Sequence, residues 1–480
     1  MTIENIHEFI SELEKSGELK RVKTEVDTNL EIAEIMRREM YSDGPAILFE
    51  NVKGYDMPVL GNAFGSMKRL EIGLGMTDFT EIGQRIADMA KMEFPTGLLN
   101  KIKKLPELTK MTASFPKEET SGPVTEITSR NASFDDLPIL KSWPNDASRF
   151  ITLGLVATKH PETGVRNLGV YRMQVIDKTH VLMHWQKHKR GANHGDISKD
   201  KGEKIPAAII IGGDPATIFS SIAPVPEGLD KYLFAGITRR EGIKTVKCKT
   251  IDLEVPANAE IVLEGYVDPI DIRDEGPFGD HTGYYTPVEP YPTFTLTGIM
   301  RRKDPIYVTT VVGKPILEDA YVGKVIERSF LPLIRMFHPE VVDFSMPAAG
   351  WFQGFAIISI KKRYPGQAKK VMMGLWGMGQ LSLTKMLVVV DDDINVQDIN
   401  DVIWAMTTRA DAARDTIIIN NTPTDTLDPA SPLVNLGSKM GIDATQKTRE
   451  EGYEREIQQQ VKVDDETKKL VDSKWSDYGL

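Results

Sequence analysis

The sequence predicts an α/β chain in three successive parts, with an all-β middle. Three observations carry that reading. Helical and extended patterns alternate up to about residue 115, short β-rich runs follow one another from 126 to about 310, and helices mix with strands again beyond. The opening segment is an amphipathic helix, because Ile6, Phe9, Ile10 and Leu13 recur at helical spacing and Gly17 supplies a stop. A short strand over 19–26 precedes a second helix carrying Ile32, Ile35 and Met36. Residues 46–49 and 59–60 read as buried strands separated by the turn at Gly54, Tyr55 and Asp56. The stretch 96–125 is rich in Lys, Pro, Thr and Ser and reads as a linker.

In the middle part, runs at 151–156, 168–176, 181–183, 207–211, 245–253, 260–266 and 294–299 are dense in β-formers. Their regular spacing argues for a barrel or a sandwich. The last part alternates a helix over 326–336, a strand over 355–360, a helix over 366–376, a strand over 386–390, a helix over 399–406 and a strand over 415–419, a βαβ arrangement. Asp391, Asp392 and Asp393 read as a strand end running into a helix N-cap rather than a cation site, since Asp is common at caps. Residues 422–432 are too proline-rich for regular structure and read as an ordered loop. A polar helix over 466–475 is free to pack on a neighbouring subunit. The parts are therefore an N-terminal α/β domain (1–115), a central β domain (116–310) and a C-terminal α/β domain with a terminal helix (311–480).

The net charge of −10 and the lack of a Lys/Arg run exclude nucleic acid as the main partner. The single cysteine, Cys248, excludes an intramolecular disulfide and a cysteine-built metal cage. The longest apolar runs are too short to span a bilayer, and the N-terminus lacks the basic and apolar regions of a signal peptide, so a cytoplasmic location is expected.

The chemistry concentrates in two stretches. Glu275, Gly276, Pro277, Phe278, Gly279 and Asp280 run directly into His281. The two glycines and the proline rule out a helix and make a tight loop that can aim both carboxylates into one pocket. A pair so placed pushes its pKa values apart, leaving one acid protonated and one ionised. The bland alternative is a solvated acidic turn ending a strand. The second stretch holds Asn167 and Arg172, five apart in an extended segment and so on opposite faces unless a bulge intervenes. It continues through His184, Trp185, Gln186, Lys187, His188, Lys189 and Arg190. His188 reads as a metal ligand, a phosphate contact or a surface histidine. The surrounding cations suit an anion such as phosphate, or else form a solvated basic hairpin.

Six ordered motifs then converge on one resemblance. Asn167-Leu-Gly-Val-Tyr-Arg172, His188-Lys-Arg-Gly191, Gly212-Gly-Asp-Pro-Ala-Thr217, Leu253-Glu-Val-Pro-Ala257, Glu275-Gly-Pro-Phe-Gly-Asp-His-Thr-Gly-Tyr-Tyr285 and Met440-Gly-Ile-Asp-Ala-Thr445 together resemble the UbiD decarboxylase family, nearly end to end. The likeness is strongest to its quinone-pathway branch, which decarboxylates 3-polyprenyl-4-hydroxybenzoate. It implies a central split β-barrel that binds prenylated FMN, and a C-terminal oligomerisation domain giving a homo-oligomer between dimer and hexamer. The cofactor would come from a flavin prenyltransferase of the UbiX type. A divalent metal, usually manganese, is implied beside the flavin phosphate, with potassium as a further candidate ion. By position, Arg172, Glu275 and Asp280 match the catalytic network, and Asn167 and His188 match metal ligands. Val170, Tyr171, His184, Trp185, Gln186, Lys189 and Arg190 match positions lining the flavin.

This chain departs from the family at one of those positions. The third metal ligand in the family is a glutamate before Tyr-x-x-Ala-Gly, and here Lys231 precedes Tyr232. An ammonium has no lone pair to give a cation. Either Asp230 or Glu227 substitutes, or Lys231 pairs directly with the flavin phosphate, which is the expectation here. The implied activity is non-oxidative decarboxylation of an aromatic or α,β-unsaturated acid. The cofactor serves as electron sink, Arg172 orients the reactants and Asp280 delivers the proton. The first substrate class is a hydroxyaryl acid of quinone biosynthesis, which if polyprenylated would bring peripheral membrane contact. The alternative is trans-anhydromevalonate 5-phosphate, giving isopentenyl phosphate. A flavin-binding scaffold without turnover is the third reading, and only Lys231 favours it.

Overall fold

The computed structural model describes residues 2–91, 112–187, 189–225, 228–456 and 458–479. Most of the expected linker, together with His188 and Glu227, lies outside them. The first helix forms as its pattern requires. Asn5 accepts the Glu8 N–H as N-cap, Ile6, Phe9, Ile10 and Leu13 are all buried, and Gly17 leaves the helix at φ 75°. Strands Leu19–Val22, Ala46–Phe49 and Val59–Gly61 form one sheet, but its fourth strand is Tyr307–Val308, which returns from beyond the central part to run parallel to Val59–Gly61. Nothing local in the sequence marks that pairing.

The central part is a closed barrel rather than a sandwich. Its six strands follow the order Ile261–Glu275, Ile205–Ile211, Phe150–Lys159, Arg166–Val175, His180–Met183 and Glu289–Arg301, and the last pairs back onto the first. Ile205–Ile211 is buried almost throughout, as a strand covered on both sides must be. Three helices pack around the barrel that the strand pattern had hidden: Arg190–Lys201, Pro215–Ile222 and Lys231–Arg239. Two of them carried legible starts, because Asp214 and Asp230 each accept two backbone N–H groups at the helix N-terminus. The described part of the supposed linker belongs to the fold, since Lys117–Glu118 pairs with Lys244–Lys247.

In the C-terminal part, Phe355–Ile360, Met386–Asp391 and Leu436–Ala444 run parallel, flanked by Val341–Ser345 and Thr416–Pro423 as antiparallel edges. The helix expected at 326–336 begins earlier, with an acidic first turn, as Glu318–Phe337. The triple aspartate is not an N-cap. Asp391 and Asp393 clamp Arg409 at 2.8 Å each, and Asp398 caps helix Ile399–Arg409. The terminal helix, Asp465–Ser473, is exposed apart from the half-buried Val471. Among the described residues no helix is long and apolar enough to cross a membrane.

Candidate active site

The loop between the two long barrel strands is strapped down at several points. Gln174 accepts the Gly276 N–H at 2.7 Å, Asp146 accepts the Gly279 N–H at 2.8 Å, and the Pro277 carbonyl accepts from Ala147 N at 2.9 Å. Gly276 sits at φ 101°, where a side chain would strain the backbone. Gly279 lies so near the Trp143 ring that a Cβ there would approach it to 2.3 Å. These contacts aim both carboxylates at the barrel strand Arg166–Val175.

There they meet Arg172. Its Nε and Nη2 donate to the two oxygens of Glu275 at 2.7 and 2.9 Å, a bidentate fork. Nη1 donates to Asp280, and Nη2 also to Thr286 Oγ1 at 3.1 Å. The Phe278 ring lies under the guanidinium, 4.7 Å from its centroid. Glu275, Asp280 and Arg172 are all buried. His184 Nδ1 stands 3.2 Å from Glu275 Oε2, and His281 Nδ1 2.9 Å from Asp280 Oδ1. Sequence reasoning missed His281 as part of the site, although it follows Asp280 directly. Its ring also stacks on Phe352 of the C-terminal part, at 5.8 Å between centroids.

The two carboxylates do not push each other's pKa values apart, as the sequence suggested, because Arg172 lies between them. Burial alone would raise the Glu275 pKa, but the hydrogen bonds from His184 and Arg172, together with the Arg172 charge, bring it down to about 2. Burial acts on Asp280 in the same sense and is likewise overcome, by His281 and Arg172, so Asp280 is held well below its usual range. Burial works against a charge on His281, yet the hydrogen bond and charge of Asp280 outweigh it and raise the imidazole above 6.5. Nearby Asp319 is pushed up to about 7, mainly by burial. Glu275 therefore binds fewer protons folded than unfolded. Its stabilisation is present above the ordinary value of 4.5 and is lost as the pH falls through about 2. Denaturation midpoints measured across that window should fall with pH, and Glu275→Gln should flatten the fall. An unchanged slope in the variant would refute this.

Asn167 and Arg172 occupy odd and even positions of one unbulged strand and so face opposite ways, as expected. On the Asn167 side, Tyr171 packs edge-on to Trp185, and its hydroxyl accepts the Gly191 N–H at 3.2 Å. Val170, on the opposite face of the strand, and Gln186 are half-buried. Lys189 and Arg190 do not form a solvated hairpin. They open the helix Arg190–Lys201, with Lys189 at its N-cap. Lys231 opens another helix and is buried. Three buried polar atoms in this set have no hydrogen-bond partner: Asn167 Nδ2, His184 Nε2 and Trp185 Nε1. A flavin mononucleotide, with ring oxygens, ring nitrogens and a phosphate, matches unpaired groups of that kind. A divalent metal does not fit what is described. Lys231 carries an ammonium, Asp230 is committed to its helix cap and to Arg166 at 2.8 Å, and no cluster of three His, Cys, Asp or Glu able to hold a metal occurs among the described residues. His188 and Glu227, also considered as ligands, lie outside those residues.

Comparison with known proteins decides the lineage. Models of the three domains of 3-octaprenyl-4-hydroxybenzoate carboxy-lyase match residues 10–87 (N-terminal domain), 116–315 (Rift-related domain) and 320–444 (C-terminal domain). The chain belongs to the UbiD family. An uncharacterised protein from Archaeoglobus fulgidus is 52% identical over 479 residues, covering 99% of both chains. Among solved structures, the closed form of vanillic acid decarboxylase from Sedimentibacter hydroxybenzoicus has a TM-score of 0.87 at 28% identity, covering 99% of each chain. The UbiD-class enzyme HmfF from Pelotomaculum thermopropionicum, in complex with FMN, has a TM-score of 0.80 at 29% identity over 97% of this chain and 99% of its own. An evolved dimeric form of HmfF, in complex with prenylated FMN, has a TM-score of 0.78 at 28% identity over 97% of this chain and 98% of its own.

Proposed function

We propose that this UbiD-family chain is a non-oxidative decarboxylase that uses prenylated FMN to remove CO₂ from an aromatic or α,β-unsaturated acid. The observation carrying this reading is the buried Arg172 fork, with Glu275 on one side and Asp280 on the other, in a barrel whose likeness in HmfF binds that flavin. The bound cofactor would supply the electron sink that a departing CO₂ requires. The chain's own groups do the rest. His184, neutral because burial and the Arg172 charge lower its pKa, steadies Glu275. Among the described residues, Arg172 is the one cation placed to receive a substrate carboxylate between the two acids. Asp280, fed from His281, holds the proton that replaces CO₂.

The preferred substrate class is a hydroxyaryl acid of quinone biosynthesis, in line with the aromatic acid of the vanillic acid decarboxylase. The cations at the half-buried Lys189 and the buried Lys231 favour a second reading, a phosphorylated acid such as trans-anhydromevalonate 5-phosphate. We further place the protein in the cytoplasm as a homo-oligomer, loaded by a separate flavin prenyltransferase. Co-expression with such an enzyme followed by native mass spectrometry should show the mass increment of prenylated FMN on each subunit. The loaded protein should release CO₂ from one of the two acid classes, and the class it accepts decides between them. Apo protein that stays inert toward both would leave only the scaffold reading.

A further inference from the structure

Among the described residues, the buried Lys231 and the half-buried Lys189 and Arg190 on the Asn167 side have no carboxylate partner. Lys231 Nζ donates only to the backbone carbonyls of Ser221 and Ala223, at 3.1 and 2.7 Å, which uses two of its three N–H bonds. Arg190 donates to the Val225 carbonyl, and Lys189 reaches Gln380 Oε1 at 3.4 Å. None of the three forms an ion pair with a carboxylate among the described residues. Asp425 acts on Lys189 only from a greater distance. Burial, and then the charges of Arg190 and Lys189, bring the Lys231 pKa down to about 7. Holding like charges beside one buried ammonium is unfavourable unless something of opposite sign joins them. Beside them, Asn167 is 5% exposed with its Nδ2 unpartnered, and it lines the same small cavity as Lys231.

We propose that this chain holds the flavin phosphate in a metal-free cradle, in which the Lys231 ammonium, supported by Lys189, Arg190 and Asn167 Nδ2, neutralises the dianion directly. The proposal rests on the flavin reading above. A lone carboxylate would leave cationic charge uncompensated, whereas a phosphate brings nearly two negative charges and several acceptor oxygens. The competing role for Lys231 is structural, tying down the turn that follows helix Pro215–Ile222.

Titration of the protein with FMN and with riboflavin, followed by flavin fluorescence in EDTA and again with manganese, separates these cases. Wild type should bind FMN at least about tenfold more tightly than riboflavin in EDTA, with no gain from manganese. Lys231→Met should lose about tenfold in FMN affinity while riboflavin binding stays unchanged, and Lys231→Arg should restore most of it. A structural role would weaken both flavins together, and that result overturns the proposal. So does FMN binding that depends on manganese, which would leave the flavin reading intact. Failure of both flavins to bind would overturn the flavin reading and the cradle with it. As a further check, Lys231→Glu should bind FMN only when manganese is added, and metal-independent binding by that variant would count against the cradle.

Discussion

Arg172→Ala is expected to abolish turnover, with a loss of about 10³-fold or more in the rate of CO₂ release, and to destabilise the protein by about 3–5 kcal/mol. Both effects follow from one piece of geometry. The guanidinium forks onto Glu275 and bonds Asp280 in the same buried volume. Without it, two carboxylates are left in a low-dielectric site, and burial, now unopposed by Arg172, drives both pKa values upward. The catalytic loss has a separate cause, because among the described residues no other cation is placed between the two acids to seat a substrate carboxylate. Single-turnover CO₂ release from flavin-loaded protein, paired with thermal denaturation, measures the two losses independently. Arg172→Lys sharpens the test. A lysine keeps the charge but not the planar fork, so stability should partly return while the rate does not. A rate within tenfold of wild type in Arg172→Ala would remove Arg172 from the chemistry.

The parts of this arrangement that the sequence made legible are those with local causes. Gly276, Pro277 and Gly279 announce a tight loop because their backbone preferences are their own, and that loop does aim Glu275 and Asp280 at one place. The odd and even placement of Asn167 and Arg172 follows from the pleat of a single strand. What stayed hidden depends on partners distant in the chain. Two carboxylates near each other imply a split titration until an arginine about a hundred residues upstream is found between them. A barrel and a sandwich share the same strand spacing, and closure is decided by the pairing of Ile261–Glu275 with both Ile205–Ile211 and Glu289–Arg301. The helix beginning at Arg190 was masked by a basic run that also suits a hairpin, whereas those at Pro215 and Lys231 carried aspartate caps that were there to be read. Lys231 is legible in the sequence only as a substitution. Its burial, and the lack of a carboxylate pairing with it among the described residues, are visible only in the fold.

Asp280→Asn carries the second large effect, an expected loss of about 10²–10⁴-fold in decarboxylation with flavin binding retained. In the site as it stands Asp280 is ionised, held so by His281 and Arg172. A proton donor in that state needs a source and a change of surroundings. His281 is the source, since its raised pKa keeps the imidazolium populated above pH 6.5 and its Nδ1 lies 2.9 Å from Asp280 Oδ1. The change comes with substrate. A carboxylate drawn to Arg172 competes for the guanidinium that now bonds Asp280, and the exclusion of water strengthens the burial that favours the neutral acid. On the proposed mechanism the proton then passes from His281 Nδ1 to Asp280 Oδ1, and from Asp280 to the carbon that has lost CO₂. Because the reservoir is a cation lost on deprotonation, the rate should fall on the alkaline side of the pH profile. His281→Gln should lower the rate and abolish that limb while leaving the acidic limb in place. An alkaline limb that survives His281→Gln unchanged would assign the proton to another donor, and Asp319, held near 7 by burial, is the next to test.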